Sequence, residues 1–189
     1  MKKRALTMSG LCLLALLLPG CALNSPPTLF YTLSATAQAS NRHSPLSLGV
    51  ILASFPELAD RPQLVVRASE NRLLLLERHQ WAGSLRRQFL RILSENLEQI
   101  TGSRQVWPAP WEESLRPDRR LTIDLQRFEG ALDQEAIIQA SWTIMDQEGK
   151  LLHNQSTRLR EPAPGSHEEL VAAESRLLAR LAQELADAL

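Results

Sequence analysis

The stretch from residue 136 to 144 alternates apolar and polar side chains more regularly than any other part of the chain. Its apolar members recur at every second position: Ala136, Ile138, Ala140, Trp142 and Ile144. A period of two places them on one face of a β-strand, so this strand must belong to a sheet with one buried face. Residues 121–125 repeat the pattern, and Asp146 to Gly149 has the composition of a hairpin turn.

Two helices are predicted to cover that face. Residues 81–101 carry apolar side chains at steps of three and four, beginning with Trp81, and Gly102 is placed to cap the end. Residues 166–188 repeat this spacing, and Ser166 with Glu169 fits a capping box. Further strands are expected at 46–54, 63–68, 72–78, 104–107 and 150–160. This order predicts an α+β fold: a single mixed or antiparallel sheet with two helices packed on one face.

The N-terminus has the pattern of a bacterial export signal. A basic head at residues 2–4 precedes an apolar run, Ala5 to Leu18, that is shorter than the roughly 20 residues a spanning helix needs. Leu18-Pro19-Gly20-Cys21 resembles a lipobox, in which the cysteine is lipidated, although Pro19, two residues before the cysteine, departs from the commoner Ala, Ser or Thr. The alternatives are a soluble periplasmic protein or an uncleaved anchor.

This reading divides the chain into three parts. We expect a lipoprotein signal peptide over residues 1–20, then lipidated Cys21 with a tether and loop over 21–45 that include a short strand near 29–33, and a single α+β domain over 46–189. Several acyl chains on one cysteine make a nearly permanent tether, because each buried methylene contributes about 0.8 kcal/mol. Ala22 stands where enteric inner-membrane lipoproteins have aspartate, which favours the outer membrane.

Composition argues against most kinds of chemistry. The two cysteines are Cys12, in the signal, and Cys21, so the mature chain has no disulfide, thiol nucleophile or cysteine zinc site. Basic and acidic residues balance at 21 each, which disfavours nucleic-acid binding. No catalytic motif, metal-ligand spacing or cofactor-binding loop is present, so we expect no catalytic residues, no metal, no cofactor and no enzyme activity. His79 is the most tempting acid–base candidate, but a structural role between a strand and a helix is the favoured interpretation.

Four residues are candidates for binding a partner. Arg61 and Arg67 belong to a series of arginines spaced along the predicted strand pair, which continues with Arg72 and Arg78. These side chains either lie on a solvent face or bind an acidic partner or a lipid headgroup. Trp107 and Trp111 flank prolines in a loop, which favours an exposed contact over a place in the core.

Several motifs together resemble the PqiC-type family of ABC-type transport auxiliary lipoproteins. In the segment Phe55–Leu97 the matching positions are Pro56, Asp60-Arg61, Arg67, Asn71, Trp81, Leu85 and Asn96-Leu97. Outside it they are Phe30-Tyr31-Thr32-Leu33, Phe128-Glu129-Gly130, and Trp142 with Gly149. One departure is Leu58-Ala59, where the family more often has an aromatic residue and a leucine.

The resemblance implies a function that the residues alone do not. It implies a non-enzymatic, lipid-anchored lipoprotein on the periplasmic face of the outer membrane. Such a protein would dock an MCE-domain protein of an intermembrane lipid transport system and support envelope integrity. It also implies a homo-oligomeric ring as one possible assembly, and no nucleic-acid partner. The alternative is a periplasmic carrier lipoprotein that binds lipid on its own.

Overall fold

The computed structural model describes residues 26–41, 43–112 and 114–189. The predicted signal peptide and Cys21 lie outside this part of the chain. The elements follow in the order β1 (Leu29–Tyr31), β2 (Leu48–Ser54), β3 (Gln63–Ser69), β4 (Arg72–Trp81), α1 (Leu85–Thr101), β5 (Val106–Pro108), β6 (Arg119–Gly130), β7 (Gln134–Asp146), β8 (Leu151–Ala163) and α2 (His167–Asp187).

The strands form one mixed sheet. Strands β6, β7 and β8 are antiparallel neighbours over most of their length, and β2 joins β6 and β5 in parallel. The antiparallel hairpin of β3 and β4 joins β6 at one pair among the described residues, Val66 with Gly130. Strand β1 pairs in parallel with the end of β4, from Leu29 beside His79 to Tyr31 beside Trp81.

The core lies between one face of the sheet and the two helices. All five alternating apolar residues of β7 are buried, which confirms the predicted α+β fold and its one-sided sheet. Both helices contact the sheet and each other. A β-carbon built on Gly130 would lie 2.1 Å from Cδ1 of the fully buried Leu170, so glycine at the end of β6 lets α2 approach closely.

The first helix starts later than predicted. Trp81 is buried, as its spacing suggested, but it is the last residue of β4 and α1 begins at Leu85. The break is set by Ser84, whose side chain accepts a hydrogen bond from the N–H of Arg87 as the N-cap. At the other end Gly102 adopts the left-handed conformation and closes the helix as predicted.

The buried face of α2 carries one carboxyl group. Glu174 is 2% exposed, and its Oε2 has no hydrogen-bond partner among the described residues. Burial raises the pKa of Glu174 from 4.5 to about 8, because the charged form loses its hydration. The side chain is therefore mostly protonated at neutral pH.

This glutamate predicts an unusual pH dependence of stability. The folded state holds a proton that the unfolded chain releases near pH 4.5, so the free energy of unfolding should fall as pH rises from 4.5 to 8. Over this range the free energy of unfolding should fall by about 4 kcal/mol, since each unit of pKa difference between the folded and unfolded states corresponds to about 1.4 kcal/mol. Glu174→Gln should remove this slope and stabilise the protein at pH 8.

The measurement is urea unfolding at a series of pH values. Glu148→Gln serves as the control, because Glu148 is exposed in the turn between β7 and β8. A slope that Glu174→Gln leaves unchanged would contradict the assignment.

Candidate interaction surfaces

An open groove of about 930 Å³ runs between the N-terminal segment and α2. One wall is formed by residues 29–36, including the exposed Leu29 and Phe30. The floor consists of small and apolar side chains of α2, among them Ala172 and Ala179. Arginines and glutamates border this floor, so the groove has an apolar base and a charged rim.

The segment 32–41, which we name the strap, forms no helix or strand but is fixed to both helices. The side chain of Asn96 on α1 is fully buried. Its Oδ1 accepts hydrogen bonds from the N–H groups of Thr36 (3.1 Å) and Ala37 (2.9 Å). The N–H of Leu33 donates to Gln88 of α1, and that of Ser34 donates to Ser175 of α2. This segment, which the sequence predicts as a loop, is therefore held in place by side chains that accept hydrogen bonds from its backbone N–H groups, as a neighbouring strand would.

Three aromatic rings link β1, β4 and the start of α2. The hydroxyl of Tyr31 lies 2.7 Å from Nδ1 of His79, and the His79 ring stacks on that of His167 with centroids 4.0 Å apart. Burial, and then the charge of His79, lower the pKa of His167. Burial and the charge of Glu168 raise that of Tyr31. Stacked imidazoles do not direct their nitrogen atoms at a common point, so we interpret this cluster as packing and not as a metal site.

The hairpin of β3 and β4, which we name the arm, is tied to β6 by an ion-pair cluster. Arg67 of β3 binds both carboxylate oxygens of Glu129, at 2.9 and 2.7 Å, and its third nitrogen donates to the carbonyl of Glu70. Arg127 contacts the same carboxylate. Burial alone would raise the pKa of Glu129, but these hydrogen bonds lower it below its ordinary value. Most donors of Arg67 are therefore engaged within the chain.

Arg61 lies in the turn that leads into the arm. The turn is anchored to α1, since Asp60 forms an ion pair with Arg86 at 3.5 Å. Ala59 is buried, whereas Leu58 and Arg61 face solvent. The turn therefore presents one apolar and one cationic side chain on a fixed backbone.

Trp107 and Trp111 lie on the sheet face that the helices leave open. Trp107 is the parallel neighbour of Gly49, and a β-carbon on Gly49 would lie 2.7 Å from the ring of Trp111. Leu48 and Val50 point into the core, so Gly49 and the two rings belong to the opposite face. Both tryptophans are half-buried, and Trp111 packs on the backbone of β2.

The open face also carries polar side chains that form hydrogen bonds between neighbouring strands. Gln126 donates to Ser141 (2.8 Å), Ser141 lies 2.9 Å from Ser156, and Ser54 contacts Asp124. These contacts connect β2 with β6, β6 with β7, and β7 with β8.

No constellation typical of metal binding occurs in the described part of the chain. Within those residues no group of three histidines, cysteines or carboxylates comes together to hold a metal ion. No described helix is both long and apolar enough to cross a membrane.

The four predicted partner residues do not form one site. Arg61 lies at the base of the arm, Arg67 inside the ion-pair cluster, and the two tryptophans on the open sheet face. Their predicted role in partner binding stays a prediction. Sequence reasoning missed the groove and the strap contacts. Asn96 was singled out as a motif residue, but nothing in the sequence shows that its amide would meet a segment 60 residues earlier.

Comparison with known proteins gives a consistent picture. A family model described as "ABC-type transport auxiliary lipoprotein component" matches residues 31–186. A solved DUF330-family protein from Xanthomonas campestris aligns with a TM-score of 0.70 at 18% identity, covering 84% of this chain and 93% of that protein. A second crystal structure, described only as an uncharacterized protein, aligns with a TM-score of 0.67 at 18% identity, covering 86% and 98%. These two likenesses show a shared fold. No curated protein sequence matches the chain.

The ion pair between Arg67 and Glu129 should be a structural link of measurable strength. In a double-mutant cycle of Arg67→Ala and Glu129→Ala we expect a coupling free energy of about 1–3 kcal/mol, because both side chains are largely buried. The exposed pair Arg91–Glu95 on α1 is the matched control, expected at about 0.5 kcal/mol or less. Urea unfolding provides the values. Equal coupling in the two pairs would contradict a structural role for Arg67.

Proposed function

The chain belongs to the family of ABC-type transport auxiliary lipoprotein components, and from this membership we propose that it is a non-enzymatic adaptor of an intermembrane lipid transport system. Membership confirms the resemblance found in the sequence. The observation that carries the proposal is the extent of the match: residues 31–186 span both helices almost completely and include the whole sheet from Tyr31 onward.

We propose that the adaptor is held at the outer membrane by lipid on Cys21 and faces the periplasm. The apolar run, the lipobox and Ala22 support this location. The described chain begins at Pro26 and enters β1 at Leu29, so the tether would join the body at this strand. In this arrangement residues 21–45 link membrane and body, and residues 46–189 form the single α+β domain.

The proposed partner is an MCE-domain protein that spans the periplasm. Two exposed features suit such a contact: the turn carrying Leu58 and Arg61, and the open sheet face with Trp107 and Trp111. Aromatic and arginine side chains are enriched in protein interfaces. The proposal includes a homo-oligomeric ring as one possible assembly. It includes no nucleic-acid partner.

Lipid carriage by the chain itself is the second candidate function. The groove beside α2 favours it, since its apolar floor and volume of about 930 Å³ would suit an acyl chain. The packed core favours the adaptor, because the apolar side chains between sheet and helices are buried against each other. Native mass spectrometry of the protein would separate the two: retained phospholipid supports a carrier.

The adaptor role can be tested by affinity purification from crosslinked envelopes. Full-length tagged protein should recover an MCE-domain protein, and Arg61→Ala or Trp107→Ala should lower that recovery several-fold by removing side chains proposed to contact the partner. Arg91→Ala, an exposed change on α1, should leave recovery unchanged. Recovery of no MCE-domain protein with the unaltered chain would contradict the proposal.

A further inference from the structure

The large apolar side chains that remain exposed are not scattered evenly. Among the described residues, four of the seven most exposed lie on the neighbouring strands β1 and β4: Leu29 (50%), Phe30 (64%), Leu74 (45%) and Leu75 (44%). We name this set the apolar edge. We propose that the apolar edge lies in the headgroup region of the membrane that carries the anchor, and this inference rests on the proposed lipidation of Cys21.

The arm stands away from the rest of the sheet. Strand β3 meets β6 at a single position, and β4 pairs with β1 only from His79 onward. The outer side of β4 from Arg72 to Arg78 has no strand partner among the described residues. Exposed leucines on an unpaired edge strand are a liability unless something covers them.

The described chain enters β1 from the side of the arm. Because β1 is parallel to β4, the chain approaches Leu29 from the side of the β4 residues that precede His79. Leu29 is only eight residues after Cys21, which limits the distance between them to roughly 25–30 Å. A membrane holding Cys21 is therefore within reach of the apolar edge, and the opposite end of the molecule is farther from it.

The charged groups around the apolar edge suit a headgroup layer. Arg72 and Arg78 flank the leucines and form no ion pair within the described residues, whereas Glu77 lies 3.3 Å from the amide of Gln63. Arginine can bury its apolar stem while its guanidinium reaches a phosphate. In the headgroup region water and phosphates can also satisfy the free backbone groups of β4, which hydrocarbon could not.

A second contact of this kind also makes physical sense for a lipidated protein. A lipid anchor on Cys21 limits the distance between the body and the membrane but does not by itself set the orientation of the body. Partial insertion of the apolar edge would fix which faces of the body point into the periplasm. The Trp107 and Trp111 face and the groove would then keep a constant relation to the membrane plane.

The experiment uses the lipidated protein in vesicles of phosphatidylethanolamine and phosphatidylglycerol. Leu75→Cys is labelled with an environment-sensitive fluorophore, and nitroxide-bearing lipids report contact with the bilayer. Leu152→Cys is the matched control, because Leu152 is similarly exposed (38%) but lies at the start of β8. Leu74→Cys provides a second position on the apolar edge. Thermal unfolding checks that each labelled variant is folded.

We expect lipid quenching at positions 74 and 75 to exceed that at 152 by roughly threefold or more, as for side chains inserted at an interface. Equal quenching at the three positions would overturn the proposal. So would an apolar environment at 75 without lipid quenching, which would indicate that a protein strand or a second copy covers the edge. Vesicles and this chain alone are present, so failure of the MCE interaction would leave the result unaffected.

Discussion

The hydrogen bonds that Asn96 makes to the strap join the N-terminal segment to the folded body. Asn96 is fully buried on α1, and its oxygen satisfies two backbone N–H groups of a segment with no strand partner of its own. Gln88 and Ser175 add contacts on either side. If Cys21 is the membrane anchor, the chain enters the body at β1, which pairs with β4, and continues directly into the strap. The strand pairing and the strap contacts together hold this N-terminal segment on the body.

The family motifs that the sequence shows are explained mainly by packing. Phe128 packs edge-on against Phe89 (centroids 5.3 Å apart), Glu129 receives Arg67, and Gly130 gives room to Leu170. These adjacent residues connect β6 to α1, to the arm and to α2. The arm depends on this junction, since its own strand pairing with β6 is a single position. The Phe128-Glu129-Gly130 motif therefore holds the arm and the two helices in position relative to β6.

Sequence periodicity predicted the elements whose signals are local. The alternation of β7 and the cap at Ser166 needed only neighbouring residues. Pairings between distant segments could not be read in this way: Arg67 and Glu129 are 62 positions apart, and only the parallel register shows that β1 joins β4. The start of α1 was placed too early because Trp81 fits the helical spacing while belonging to a strand. Glu174 could have been noticed, since it lies four residues after Leu170 and four before Leu178, which places it on the apolar face of α2.

The central claim is that this domain is a binding module fixed to a membrane through its N-terminus. The most direct test is mass spectrometry of the N-terminal peptide from the envelope-purified protein. The account predicts a mature chain that begins at Cys21, with a thioether-linked diacylglycerol on the sulfur and a further acyl chain on the amino group. A mature chain with a free Cys21 thiol, or one that begins at another residue, would contradict it.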